Sequence, residues 1–122
     1  MSAFWPLFRR QKKTALESVW RKKREEALAW ALQYYPDSRF YDTAARFVII
    51  LEEQISVPLR QFAPQTRFLE ELGMDDLEPV GVIMAVEEEF GIPEIPDAEG
   101  QRICTVDQMI RYLVEVRREE KS

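Results

Sequence analysis

The chain has 122 residues, of which 46% are apolar and 32% are charged, and these proportions are typical of one small globular domain. It has no histidine and only one cysteine, Cys104, which excludes imidazole and thiolate metal sites, histidine-activated nucleophiles and internal disulfides. We therefore predict a protein that is not an enzyme, with no metal and no cofactor, in a reducing cytoplasm. Apolar runs such as Phe47 to Leu51 are far shorter than the roughly 18 residues that cross a bilayer, so no membrane-spanning helix is expected.

The net charge of −5 is distributed unevenly along the chain. Residues 1–39 contain nine Lys or Arg and four Asp or Glu, whereas residues 40–122 contain eight and eighteen. This asymmetry predicts a basic, aromatic N-terminal arm with an extra helix over residues 1–39, followed by an acidic helical domain over residues 40–122.

The first thirteen residues combine the aromatic residues Phe4, Trp5 and Phe8 with a basic stretch that ends at Lys13. Such a segment is typical of a docking peptide or of an interfacial membrane anchor. One short cluster gives only weak membrane attachment, so contact with an acidic protein surface, within the chain or on a partner, is favoured over a membrane-peripheral role for residues 4–13.

A first helix is predicted to begin at the capping box from Thr14 to Glu17 and to end at Tyr34 or Tyr35, before Pro36. The basic run at residues 21–24 could contact phosphates, but the acidic domain would repel nucleic acid, so no nucleic-acid partner is expected. Exposed Trp20 and Trp30 would make this helix the interface of an adaptor or inhibitor protein, and would make a homodimer reasonable.

Three further helices and a short helical turn complete an all-α pattern, since no segment alternates with period two. The second helix is expected to start at a cap on Asp42 or Thr43 and to end near Val57, and Phe62 and Phe68 should hold the loop that follows it. The third is expected to run from Asp75 or Asp76 to Phe90, a turn to span residues 96–102, and the last helix to begin at a capping box from Thr105 to Gln108. The inward residues of the last helix should be Val106, Met109, Ile110, Leu113 and Val114.

Three short motifs resemble those of the bacterial-type acyl carrier proteins. They are Leu72-Gly73-Met74-Asp75-Asp76-Leu77, Glu87-Glu88-Glu89-Phe90-Gly91 and Ile95-Pro96-Asp97. The resemblance covers residues 42–116 and implies a four-helix bundle, here with an additional N-terminal helix. It also implies partners among the enzymes of fatty-acid or polyketide biosynthesis.

Asp76 stands where the signature Leu-Gly-x-Asp-Ser-Leu of that family has the serine that carries phosphopantetheine. A carboxylate cannot form the same stable phosphodiester, and no serine or threonine lies between Thr66 and Thr105. The resemblance thus implies a carrier fold without covalent cargo. Asp76 can serve simply as a helix cap, or its charge can imitate a loaded carrier, and the sequence leaves both open.

The helical spacing of the third helix separates two apolar sides. The larger side, assigned to the core, consists of Pro79, Val82, Ile83, Val86 and Phe90. The second side carries Leu77, Val80, Gly81, Met84 and Glu88, and either the N-terminal helix covers it or a partner does. We predict a non-enzymatic binding module that docks a basic partner surface through Asp75, Asp76, Leu77, Glu78, Val80, Met84, Glu87 and Glu88.

Overall fold

A computed structural model describes the backbone of residues 13–74 and 78–121, and side chains within residues 21–74 and 80–117. Its elements are α1 (Lys13–Tyr34), α2 (Ser38–Ile55), a 3₁₀ turn (Leu59–Gln61), α3 (Glu78–Phe90), α4 (Asp97–Arg102) and α5 (Val106–Lys121). The only extended pairing in these ranges is one isolated bridge between residues 67 and 105, so the all-α prediction is confirmed. None of the helices described is long and apolar enough to cross a membrane.

Helix α1 packs along α2 through small residues and one large aromatic residue. Ala27 and Ala31 are fully buried, and their size lets the two helices approach closely. Trp30 is 7% exposed, and its Nε1 donates to the backbone oxygen of Phe62 at 2.9 Å. Trp30 is therefore not the exposed interface residue that the adaptor alternative would need, because its indole joins α1 to the loop after α2. The side chain of Trp20 lies outside the described residues.

Helix α2 begins at Ser38, earlier than the predicted cap at Asp42 or Thr43. Asp37 caps it, since the Asp37 side chain accepts from the backbone N–H of Arg39 at 2.8 Å. Asp42 and Thr43 instead lie inside the helix and bind Arg117 of α5, with Nη1 3.4 Å from Asp42 Oδ2 and 2.7 Å from Thr43 Oγ1. Helix α2 is thus continuous across the predicted division between residues 39 and 40.

The core combines residues from both predicted segments. Its largest fully buried side chains are those of Phe47, Leu51, Ile110, Leu113, Val48, Val86 and Val106. Ala27, Trp30 and Ala31 of α1 belong to the same apolar cluster. The predicted loop anchors are confirmed: Phe62 is buried, and Phe68 packs edge-on against Phe47 at 6.4 Å between ring centres.

Two predicted features of the C-terminal third are confirmed. Helix α3 ends at Phe90, where Gly91 takes a left-handed φ of 61°. Thr105 and Gln108 form a reciprocal capping box, with Gln108 N donating to Thr105 Oγ1 at 3.1 Å and Thr105 N donating to Gln108 Oε1 at 3.0 Å. Of the five predicted inward residues of α5, four are buried and Val114 is half-buried.

Candidate partner-binding site

Helix α3 lies antiparallel to α2. Arg46 Nη2 forms an ion pair with Glu89 Oε2 at 3.0 Å near one end, and Gly81 faces Gln54 near the other. A Cβ at position 81 would lie 3.1 Å from Gln54 Oε1. The assignment of Gly81 to the outward side was therefore wrong, because this residue faces the contact with α2.

The C-terminal end of α3 is held by two arginines that stack on Phe90. The guanidinium carbon of Arg46 lies 4.5 Å from the centre of the Phe90 ring, and that of Arg117 lies 5.2 Å from it. Arg46 Nη2 also donates to the backbone oxygen of Glu89 at 3.1 Å, where the helix leaves carbonyl groups without helical partners. These contacts fix α3 to α2 and α5.

The two sides of α3 differ sharply in burial. Val82 and Val86 are buried, as predicted for the core side, and Ile83 and Phe90 are half-buried against the core. On the other side Val80 is 52% exposed, Met84 is 62% exposed and Glu88 is also exposed. We call these three residues the outward strip.

Helix α1 does not cover the outward strip. It packs on α2 and on the 3₁₀ turn, while Val80 and Met84 remain among the most exposed large apolar side chains described. The alternative in which α3 is buried on both sides is thereby excluded for these two residues. The strip is an apolar surface beside a carboxylate, and it is available for contact.

The consecutive residues Glu87, Glu88 and Glu89 have different environments because they are separated by 100° around the helix. Glu87 Oε2 accepts from the backbone N–H of Ile95 at 2.7 Å and is half-buried, so it stabilises the loop after α3. Glu89 is paired with Arg46. Of the three, Glu88 alone is exposed, and the internal contact of Glu87 was missed because it depends on a loop that lies eight residues further on.

The remaining predicted site residues fall outside what the structure describes. These are Asp75, Asp76 and Leu77, together with the side chain of Glu78; the side chain of Pro79, which was predicted for the core side, is also outside the described residues. From the predicted set, the structure therefore brings together Val80, Met84 and Glu88.

An apolar cavity of about 50 Å³ lies behind α3. It is lined by residues of the preceding loop, α3, the α3–α4 loop, α4 and α5, including Met74, Val82, Ile83 and Met109. All of its lining side chains are apolar, so the cavity offers shape and no acid–base chemistry.

The two threonines that flank the motif region are used in local structure. Thr66 Oγ1 accepts from Ala63 N at 2.8 Å, and Thr105 Oγ1 accepts from Gln108 N at 3.1 Å. The sequence between them contains no serine or threonine. The hydroxyl groups on either side of α3 are thus engaged in turns and caps.

The fold and the site together define a small helical bundle that presents exposed apolar side chains beside an exposed carboxylate on one helix. The profile described as "Phosphopantetheine attachment site" matches residues 45–113. The chain is 40% identical to an acyl carrier protein of Helicobacter hepaticus over 72 residues, which is 59% of this chain and 93% of the relative. It is 39% identical to an acyl carrier protein of Helicobacter pylori over 64 residues, covering 52% of this chain and 81% of the relative.

The chain belongs to the acyl carrier protein family, as the three sequence motifs predicted. Members of this family are carrier proteins and not enzymes, which agrees with the prediction that this protein is not an enzyme.

Proposed function

We propose that this member of the family is a docking module that binds its partner without a covalently attached prosthetic group. The observation that carries the proposal is the outward strip, where Val80 and Met84 expose 52% and 62% of their surface beside Glu88. Exposed apolar residues next to charge are typical of an interaction surface.

Loss of covalent attachment is supported by the chemistry of the motif. Asp76 occupies the serine position of the signature, and the next hydroxyl residues along the sequence are Thr66 and Thr105. A carboxylate offers no oxygen that can be converted into a stable phosphodiester with phosphopantetheine. The residues present therefore do not fit the prosthetic group, and the proposed function involves no transfer step.

The charge of α3 indicates the chemistry of the partner. Residues 75–90 contain six acidic residues and no Lys or Arg. Glu88 is exposed on α3 and no basic residue lies among residues 75–90, so this segment attracts a basic surface and steers its approach, while apolar contacts at Val80 and Met84 supply short-range affinity. We propose partners with a basic surface, among the enzymes of fatty-acid or polyketide synthesis, in the cytoplasm.

Intact-mass measurement tests the loss of attachment. After co-expression with a phosphopantetheinyl transferase, the wild-type chain should keep its unmodified mass, and Asp76→Ser should gain the prosthetic-group increment. A known acyl carrier protein in the same cells controls for transferase activity. An increment on the wild-type chain would disprove non-covalent function.

Affinity capture from the native cell tests the docking surface. Val80→Ser combined with Met84→Ser should reduce recovery of the partner about tenfold or more, since truncating a hot-spot side chain at the centre of an interface costs about 2 kcal/mol or more. Leu32→Ser is the matched control, because Leu32 is 48% exposed on α1. Equal recovery with the α3 variant and wild type would exclude the strip.

A second candidate is an adaptor or inhibitor that uses α1. The observation in its favour is that Arg21, Lys22 and Arg24 of α1 are exposed. Reversing these three charges should then abolish capture while the α3 variant retains it. Light scattering on the α1 charge-reversal variant and on the α3 variant also tests whether the chain forms a homodimer through either surface.

A further inference from the structure

The outward strip has a candidate occupant within the same chain. Residues 4–13 contain Phe4, Trp5, Leu7 and Phe8 followed by four basic residues, with no acidic residue. The strip presents exposed apolar side chains on α3, whose sequence contains four acidic residues and no basic one. The two sequences are therefore complementary in charge and in apolar character.

The packing of α1 places the beginning of this helix at the end of the molecule where α2 ends. Tyr35 stacks on Phe40 with ring centres 6.1 Å apart, where α1 ends and α2 begins. The Lys23 ammonium lies close enough to the Glu53 carboxyl to oppose the rise in its pKa that burial causes. The end of α1 therefore lies beside the beginning of α2, and an earlier part of α1 lies beside the end of α2, so the two helices are antiparallel. Ten residues separate Lys23 from Lys13, which is about 15 Å of helix. Helix α2 ends two residues after Glu53, so α1 extends well past the end of α2.

The outward strip begins at this same end. Gly81 faces Gln54, so the adjacent Val80 lies at the level where α2 ends. Helices α1 and α3 both pack on α2, and two neighbouring interaxial distances of roughly 8–10 Å put their axes at most about 20 Å apart. Lys13 is therefore roughly 25 Å from Val80.

The arm is long enough to cover this distance. Trp5 precedes Lys13 by eight residues, and an extended chain of that length spans about 26–29 Å before its side chain is added. Arg9 and Arg10 are closer to α1 in the sequence and would lie near Glu78, the first residue of α3. Within the arm, the basic residues are nearer to α1 and the aromatic residues are farther from it. On the surface, the first residue of α3 and then the outward strip follow in the same order.

We infer that residues 4–12 bind the outward strip of their own chain, with Phe4 and Trp5 against Val80 and Met84. This inference rests on the proposed docking function, because the arm would occupy the surface that the partner needs. The partner must displace the arm, so the arm lowers the apparent affinity for every partner by the same factor, and only partners of high intrinsic affinity still bind.

Paramagnetic quenching in the full-length protein tests the contact. A spin label is attached to Leu7→Cys in a Cys104→Ser background, and the methionine methyl groups are labelled with ¹³C. The Met84 methyl signal should lose most of its intensity, whereas that of Met109, which is buried on α5 behind α3, should lose much less. An unquenched Met84 signal would overturn the inference.

A mixed sample distinguishes contact within one chain from contact between two chains. Spin-labelled chains without ¹³C are mixed with ¹³C-labelled chains that carry no spin label. Contact within the chain predicts no quenching of Met84 in this mixture. Quenching as strong as in the doubly labelled chain would overturn the inference in favour of a second copy.

Charge reversal and vesicles provide independent readouts. Arg9→Glu with Arg10→Glu should restore the Met84 signal, whereas Arg39→Glu with Arg102→Glu, an equal change at exposed sites elsewhere, should leave it quenched. If phosphatidylglycerol vesicles bind the arm while Met84 is never quenched, the arm is a membrane anchor and the inference fails.

Failure of this inference and failure of the proposed function give different results. Deleting residues 2–12 should increase partner capture several-fold if the arm competes for the strip. If capture still depends on Val80 and Met84 but neither quenching nor the deletion has an effect, the docking function stands and the arm proposal is wrong.

Discussion

Side chains of residues 1–39 form long-range polar contacts with the region that matches the family, residues 45–113. Tyr35 is buried, and its hydroxyl donates to Asp107 Oδ1 of α5 at 2.5 Å. Burial and the adjacent Asp107 carboxylate both raise the pKa of the Tyr35 hydroxyl well above its ordinary value of 10.0. The neutral hydroxyl is therefore favoured in the folded protein.

This pKa shift predicts a stability change in alkaline solution. Because folding raises the pKa of Tyr35, its contribution is complete below pH 10 and is lost progressively as pH rises above that value. Tyr35→Phe should be about 1–2 kcal/mol less stable than wild type at neutral pH, and the difference should shrink above pH 10.

Urea unfolding at a series of pH values measures the difference, and Tyr34→Phe serves as the control at a more exposed tyrosine. A gap between wild type and Tyr35→Phe that stays constant through the alkaline range would contradict a role for the ionisation of Tyr35.

At the scale of elements, periodicity and caps predicted the ends of most helices. The start of α2 was missed because Asp37, Asp42 and Thr43 are all good cap residues, and a local pattern does not reveal that Arg117 engages the last two. The outward strip was predictable in part, since Val80 and Met84 share one helical side. The roles of Gly81 and Glu87 depend on tertiary contacts with Gln54 and Ile95.

The capping box of α5 gives a test at this scale. Gln108→Ala removes the side-chain oxygen that accepts from the backbone N–H groups of Cys104 and Thr105, at 2.7 and 3.0 Å. We expect a loss of about 1 kcal/mol in the free energy of unfolding. Gln101→Ala, at an exposed position of α4, should have little effect, and equal losses in the two variants would argue against the cap.

For the whole molecule, α1 is part of the folded core although it is not part of the matched family region, residues 45–113. Trp30 and the alanines beside it are buried against the same cluster that holds α2 and α5. The division of the chain into an N-terminal arm with an extra helix, residues 1–39, and a helical domain, residues 40–122, stays a prediction. Folding should be cooperative across it.

Deletion of residues 1–34 tests that cooperativity. It removes Trp30, and loss of one buried tryptophan side chain alone typically costs about 3–5 kcal/mol, so the shortened chain should be strongly destabilised or unfolded. Urea unfolding followed by circular dichroism measures the effect. Deletion of residues 2–12 is the control and should retain most of the stability; an unchanged midpoint after the longer deletion would show that the matched region folds independently.

The stacking of Arg46 and Arg117 on Phe90 has a consequence for how recognition can change over time. The contacts that position α3 use Phe90, Glu89, Val82 and Val86, whereas the outward strip uses other faces of the same helix. Substitutions on the strip should therefore change the proposed partner binding with little effect on folding. Partner choice can diverge among related chains while the scaffold stays the same.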